Sequence, residues 1–177
     1  MLDDLSSEAD RGPLDPLRIF ESLQRHGVEY LTIGGVAVNA HGHVRNTRDV
    51  DILIECNAEN MQRLAAALSE LDAKLAGVDA DLLDIDPHDP DALLNGGNFT
   101  LRTAAGGLDL FDPGEIPGGR PYEEMRPRAV EVVVDGVAIR AVGFDDLIRL
   151  KRESGRDRDL EDVATLLAAK REASQGG

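Results

Sequence analysis

The chain is short of cysteine, of lysine and of long apolar runs, and each shortage excludes something. Its single cysteine, Cys56, leaves no partner for an intramolecular disulfide. No apolar stretch approaches the roughly 18 residues of a membrane-spanning helix, and there is no basic-then-apolar signal sequence. A cytoplasmic protein that does not enter membranes is the expectation. Basic residues are outnumbered: 34 Asp and Glu against 19 Lys and Arg give a formal charge of −15 and a sequence pI near 4.5. A surface of that sign repels polyanions at long range, which argues against extended DNA binding, an RNA coat or an anionic membrane surface, and leaves room only for a local basic pocket. Only three of the basic residues, Lys74, Lys151 and Lys170, are lysines, so each is a candidate for a specific task.

At 177 residues and 19.1 kDa the chain suits one domain with a real core. Residues 1–12 carry Asp3, Asp4, Glu8 and Asp10 with few large apolar groups and read as a flexible acidic leader; residues 13–173 read as the single domain, and 174–177 as a flexible tail. Asp15-Pro16 supplies a cap and a first-turn proline for a helix carrying Leu17, Phe20 and Leu23. Tyr30 to Ile33 is a short β-rich run, a brief helical segment follows to about Ala40, and Val50 to Ile54 is a second strand. From Asn57 to about Leu75, Met61, Leu64, Ala65, Leu68, Leu71 and Leu75 recur at helical steps. Phe99 to Arg102 and Leu108 to Phe111 read as strands, Asp135-Gly136 as the turn of a hairpin between two valine-rich strands, and Phe144 to Glu153 and Asp157 to about Ala173 as helices. This order predicts an α+β fold: a mixed sheet of about five strands with helices packed on one face.

Within this frame, residues 34–54 read GGVAVNAHGHVRNTRDVDILI. In an extended strand Asp49 and Asp51 share one face while Val50 and Ile52 share the other. Two carboxylates held together raise each other's proton affinity unless a cation neutralises them, and a hard divalent ion such as Mg²⁺ is the natural occupant. A third acid, Asp109, sits inside the apolar strand GGLDLF, where a charge is costly unless it is paired or bound to metal. If its strand pairs beside that of Asp49 and Asp51, three carboxylates converge and two ions can be held. Gly34-Gly35 adds a turn free of side chains at a helix start, where amides can approach phosphate oxygens. The acid-x-acid spacing alone is weak, because Asp79/Asp81, Asp84/Asp86, Asp89/Asp91 and Asp157/Asp159 share it; the glycine pair and the aliphatic alternate face set Asp49/Asp51 apart. His41 and His43 lack a partner at zinc-ligand spacing and read as ordinary loop or helix-end residues.

The pattern resembles the nucleotidyltransferases of the DNA polymerase β superfamily, whose signature is a Gly-Gly or Gly-Ser turn, an acid-x-acid strand and a third acid on a later strand. Gly34, Gly35, Gly42, Arg45, Thr47, Asp49 and Asp51 resemble the compact bacterial form found in AbiEii-type toxin and lincosamide-type antibiotic nucleotidyltransferases. The stretch from Lys151 to Asp162 is similar to the carboxy-terminal Lys, Arg, Asp and Asp cluster of the same small proteins. The resemblance implies a nucleotidyltransferase that moves a nucleoside monophosphate from a nucleoside triphosphate, ATP among them, to an acceptor and releases pyrophosphate. It implies Asp49, Asp51 and Asp109 as catalytic and metal-binding residues for two Mg²⁺ ions. Gly34, Gly35, Arg45, Thr47 and Lys151 are implied on the nucleotide, with Asp159 or Asp162 positioning the basic groups. Glycine stands at the second turn position where serine is common, so backbone amides replace a hydroxyl contact to phosphate. The expected acceptor is an RNA end or a protein hydroxyl in a toxin-like enzyme with an antitoxin partner. An antibiotic-modifying enzyme with a small-molecule acceptor comes next, and a catalytically silent binding module of the same fold is the alternative from another class.

Overall fold

In the computed structural model, residues 11–77 and 80–176 are described, without the side chain of Asp81. Most of the expected acidic leader, 1–10, lies outside the described residues, as do Asp79 of the acidic run and Gly177. The first helix, α1 (Pro16–Arg25), begins as its sequence dictates: the Asp15 carboxylate accepts the Arg18 backbone N–H at 3.2 Å, and Pro16 occupies the first turn. Ile19, Phe20 and Leu23 on its inner face are fully buried, each a burial that contributes on the order of 2 kcal/mol. There follow β1 (Tyr30–Ile33), α2 (Gly34–Ala40), β2 (Asp49–Ile54) and α3 (Ala58–Glu70), the last capped by the Asn57 side chain. Next come β3 (Lys74–Leu75), α4 (Pro90–Asn95), β4 (Phe99–Thr103), β5 (Gly106–Phe111), α5 (Tyr122–Met125), β6 (Val130–Val134), β7 (Val137–Ala141), α6 (Phe144–Ser154) and α7 (Asp157–Gln175).

The strands form one mixed sheet in the order β3-β4-β5-β2-β1-β7-β6. β2 lies parallel to β5, β1 parallel to β7, and the remaining neighbours are antiparallel. The sheet thus has seven strands rather than about five. One addition comes from the end of the predicted 57–75 helix: α3 stops at Glu70, Asp72 turns into the left-handed region (φ 48°), and Lys74–Leu75 pairs with β4. Helical spacing alone could not show this, because Leu71 and Leu75 fit both readings. The Asp135-Gly136 hairpin forms as expected, with both central residues at positive φ, and β7 joins it to β1 so that one sheet results.

The expectation of helices on one face is also corrected. Tyr30, Val50, Ile52 and Ile54 pack in a core with α1, α3 and α4, whereas Leu31, Leu53, Ala141 and Val142 pack in a second core with α2, α5, α6 and α7. Buried apolar residues follow one another without polar alternation at Tyr30-Leu31 and Ile52-Leu53-Ile54, the mark of strands covered on both sides. α7 continues to Gln175, through the start of the expected tail.

Candidate active site

The alternation expected of β2 is observed. Val50 and Ile52 are fully buried on the face of the first core, so Asp49 and Asp51 project on the opposite face, at the border of the second. Asp51 stands in register with Asp109 on β5, and Asp49 with Gly107. Parallel pairing puts registered residues on the same face, which is why acids 58 positions apart in the chain meet. One oxygen from each of Asp49, Asp51 and Asp109 lies within 4.8 Å of the other two.

The electrostatics follow. Asp51 is pushed up to about 7, chiefly by burial and then by Asp49 and Asp109, with Arg156 and Lys151 pulling the other way. Asp109 is raised to about 6, again by burial first, with Arg11 opposing and Asp49 adding to the rise. Near neutral pH such a group is poorly compensated, and the unmet need is for positive charge. The three oxygens suit a hard cation, and a cation of another kind already leans on them: the Arg11 guanidinium lies 3.1 Å from Asp109 and 3.7 Å from Asp49.

The two glycines at the head of α2 are required by what surrounds them. Gly34 adopts φ +61°, and a Cβ there would lie 2.0 Å from Asp51 Oδ2. A Cβ on Gly35 would lie 2.6 Å from Thr47 Oγ1 and 3.4 Å from an Arg45 nitrogen. The turn therefore touches Asp51 on one side and the Arg45–Thr47 loop on the other. Thr47 donates to the Asp49 carbonyl at 2.9 Å, fixing the entry to β2. Asn39 clamps Arg45 by a reciprocal pair, accepting its N–H at 2.9 Å and donating to its carbonyl at 3.0 Å.

Arg45 continues into a network built from the α6–α7 junction. It donates to Asp162 at 3.0 Å. Lys151 Nζ lies 2.7 Å from both Asp159 and Asp162 and its side chain is only 4% exposed. Arg156 donates to Asp159 at 2.7 Å, and Ser154 donates to the same carboxylate. Burial pushes Asp159 up, but hydrogen bonds from Lys151, Ser154 and Arg156 outweigh it and hold this acid at about 2. Lys151 thus forms part of the wall, while the Arg156 side chain is 78% exposed. The sequence reading assigned no role to Arg156, although it lies in the Lys151–Asp162 stretch. Arg11 was missed too, being placed in a mobile leader; the one available signal is that it is the only basic residue ahead of α1.

Other candidates fall away from the site. His41 caps α2 and donates through Nε2 to the Val142 carbonyl at 2.8 Å, with its ring edge-on to Phe144. Cys56 is exposed as a residue, and desolvation of its sulfur and the nearby Asp112 push its thiol up to about 12, against the low values of nucleophilic cysteines. Among the decoy pairs, Asp86 and Asp89 serve local turns, accepting the backbone N–H groups of His88 and Asp91.

No protein-family model and no curated protein matches this sequence. Solved structures do match its fold. A lincosamide antibiotic adenylyltransferase with lincomycin bound superposes with a TM-score of 0.55 at 17% identity, over 88% of this chain and 98% of its own. An antigenic nucleotidyltransferase-like protein from Paracoccidioides brasiliensis gives 0.53 at 14%, over 89% of this chain and 79% of its own. The aminoglycoside enzyme ANT(2")-Ia, in complex with adenylyl-2"-tobramycin, gives 0.53 at 15%, over 86% and 85%. At these identities the likeness is one of architecture, and the resemblance read from the sequence is met at that level: the chain has the nucleotidyltransferase fold.

Proposed function

We propose that the protein is a metal-dependent nucleotidyltransferase, moving a nucleoside monophosphate from a nucleoside triphosphate to an acceptor hydroxyl. The observation that carries this reading is the convergence of Asp49, Asp51 and Asp109 from two paired strands beside the Gly34 turn. These acids are the residues to hold Mg²⁺, in two ions. When bound, such ions would neutralise the triphosphate and lower the proton affinity of the acceptor hydroxyl. In the reaction the acceptor oxygen bonds to the α-phosphorus, the bond to the bridging oxygen breaks, and pyrophosphate leaves with its electron pair. The acceptor proton passes to a carboxylate oxygen of Asp109, which stands within the same cluster.

Positioning and charge are most of what such a displacement needs. Gly34 and Gly35 admit the phosphates close to backbone, and Arg45 and Thr47 line the same turn. Lys151 acts as a fixed charge that aligns Asp159 and Asp162, and these in turn hold Arg156 and Arg45 toward the triphosphate. The catalytic unit is residues 13–173 as one domain. The acceptor is an RNA end or a protein hydroxyl, in a toxin-like enzyme with an antitoxin partner. A second reading, a small or cationic acceptor, is favoured by the formal charge of −15 and is in keeping with antibiotic-modifying neighbours.

The test is transfer of label from each of the four α-labelled triphosphates, with Mg²⁺, into cell RNA, cell protein and candidate aminoglycosides and lincosamides. Label entering one fraction with wild-type protein and with neither Asp49→Asn nor Asp51→Asn identifies the acceptor. Equal labelling by wild type and variants would contradict the assignment. No labelling, together with no Mg²⁺-dependent melting shift from any triphosphate, would favour the silent binding module.

A further inference from the structure

The segment just ahead of α1 is strapped across the acids. Asp15 donates its N–H to the Ala105 carbonyl at 2.8 Å, which ties the segment to the β4–β5 turn. Leu14 then crosses Gly106 so closely that a Cβ there would lie 2.8 Å from the Leu14 Cα. Arg11 crosses Gly107 the same way, with a Cβ meeting its Cδ at 2.8 Å and its guanidinium at 2.9 Å. The glycine pair that opens β5 therefore makes a track for this strap. At its end the Arg11 side chain, 14% exposed, places one guanidinium nitrogen 3.1 Å from Asp109 and 3.7 Å from Asp49.

This is a loosely bonded cation. Arg11 makes one hydrogen bond to the triad, and its buried Nε has no partner among the described residues. Arg128, by contrast, grips Asp146 with two, at 2.8 and 2.9 Å. A guanidinium presents a fan of donors and cannot collect three carboxylate oxygens around one point, whereas a divalent ion can. Arg11 offsets part of the repulsion within the triad, by the single-handed contact that is easiest to give up.

Building on the metal site proposed above, we propose that Arg11 is a displaceable resident cation. It competes with divalent metal for Asp49 and Asp109, so that metal entry releases the 11–14 strap from β5. The contact makes the metal-free protein tolerable and makes metal affinity depend on how firmly the strap is docked.

Mn²⁺ titration followed by electron paramagnetic resonance, on wild type, Arg11→Gln, Arg11→Lys and Asp51→Asn, tests this without any turnover. Arg11→Gln should bind Mn²⁺ about 10-fold or more tightly than wild type, Arg11→Lys should fall between, and Asp51→Asn should lose binding. On wild type alone, brief trypsin treatment should cut after Arg11 faster with Mn²⁺ than with chelator, read by mass spectrometry. Equal or weaker Mn²⁺ binding by Arg11→Gln, or cleavage after Arg11 that ignores Mn²⁺, overturns the proposal while leaving the metal site standing. Failure of both wild type and Arg11→Gln to bind Mn²⁺ overturns the metal site and the proposal together.

Discussion

Two clusters of charge lie close together in this protein, and they are built on opposite principles. At the α6–α7 junction, Asp159 and Asp162 are met by Lys151, Arg45 and Arg156, with Ser154 adding a hydroxyl. That network answers each negative charge with a positive one, and Asp159 is held at about 2. On β2 and β5, Arg11 reaches Asp49 and Asp109, and Asp51 and Asp109 still rise to about 7 and 6. A network that satisfies itself holds its own members in place. One left short of positive charge has an unmet affinity for a cation.

The sharpest way to break this contrast is to neutralise one acid from each cluster. Asp51→Asn should lower nucleotidyl transfer by at least about 10³-fold, yet leave the metal-free protein as stable as wild type or more so at neutral pH, by about 1–3 kcal/mol. In the balanced network the sign reverses. Lys151→Met would remove the buried cation that Asp159 and Asp162 share, leaving them Arg156, Ser154 and Arg45, and should cost about 3 kcal/mol in a denaturant titration. Destabilisation by Asp51→Asn and indifference to Lys151→Met would erase the distinction.

The turn that touches the triad offers a smaller effect. Gly34→Ala must place a methyl carbon against Asp51 Oδ2 at a left-handed φ. It should cost about 1–2 kcal/mol of stability and reduce transfer far more than that loss explains. Normal transfer by this variant would mean that Asp51 need not sit where it does.

The same contrast shows in the pH profile of stability with chelator present. Asp51 binds its proton more tightly in the folded chain, at about 7, than in the unfolded chain, near 4. Stability should therefore fall as pH rises from about 4 to about 7. Asp159 works in the other sense: lowered to about 2, it contributes above about pH 4 and loses that contribution as pH drops toward 2. Mg²⁺ should restore the neutral side and leave the acid side alone. A melting temperature that climbs from pH 5 to pH 7 in chelator would contradict the raised Asp51.

How much of this could be read from the sequence depends on the range of the interaction. Asp49 and Asp51 were legible because strand alternation is local, and Asp109 because a lone acid in GGLDLF has few cheap explanations. The hairpin at Asp135-Gly136 and the cap at Asp15 were legible for the same reason. The burial of Lys151 between Asp159 and Asp162 was not, since spacing cannot tell a lysine that reaches outward from one that is clamped. Helices on both faces could have been suspected from the unbroken apolar runs in β1 and β2. Arg11 was hidden: nothing in an acidic, glycine- and proline-containing segment says that its one arginine returns to a strand 98 residues away.

The central claim is that the three acids converge in order to share divalent cations. Crystals grown with Mn²⁺ and a non-hydrolysable triphosphate analogue, measured for anomalous scattering, would test it most directly. The account predicts a peak about 2.0–2.3 Å from oxygens of Asp51 and of at least one of Asp49 and Asp109, with phosphate oxygens completing the shell and the Arg11 guanidinium withdrawn. A bound triphosphate with no metal peak at these carboxylates would contradict it.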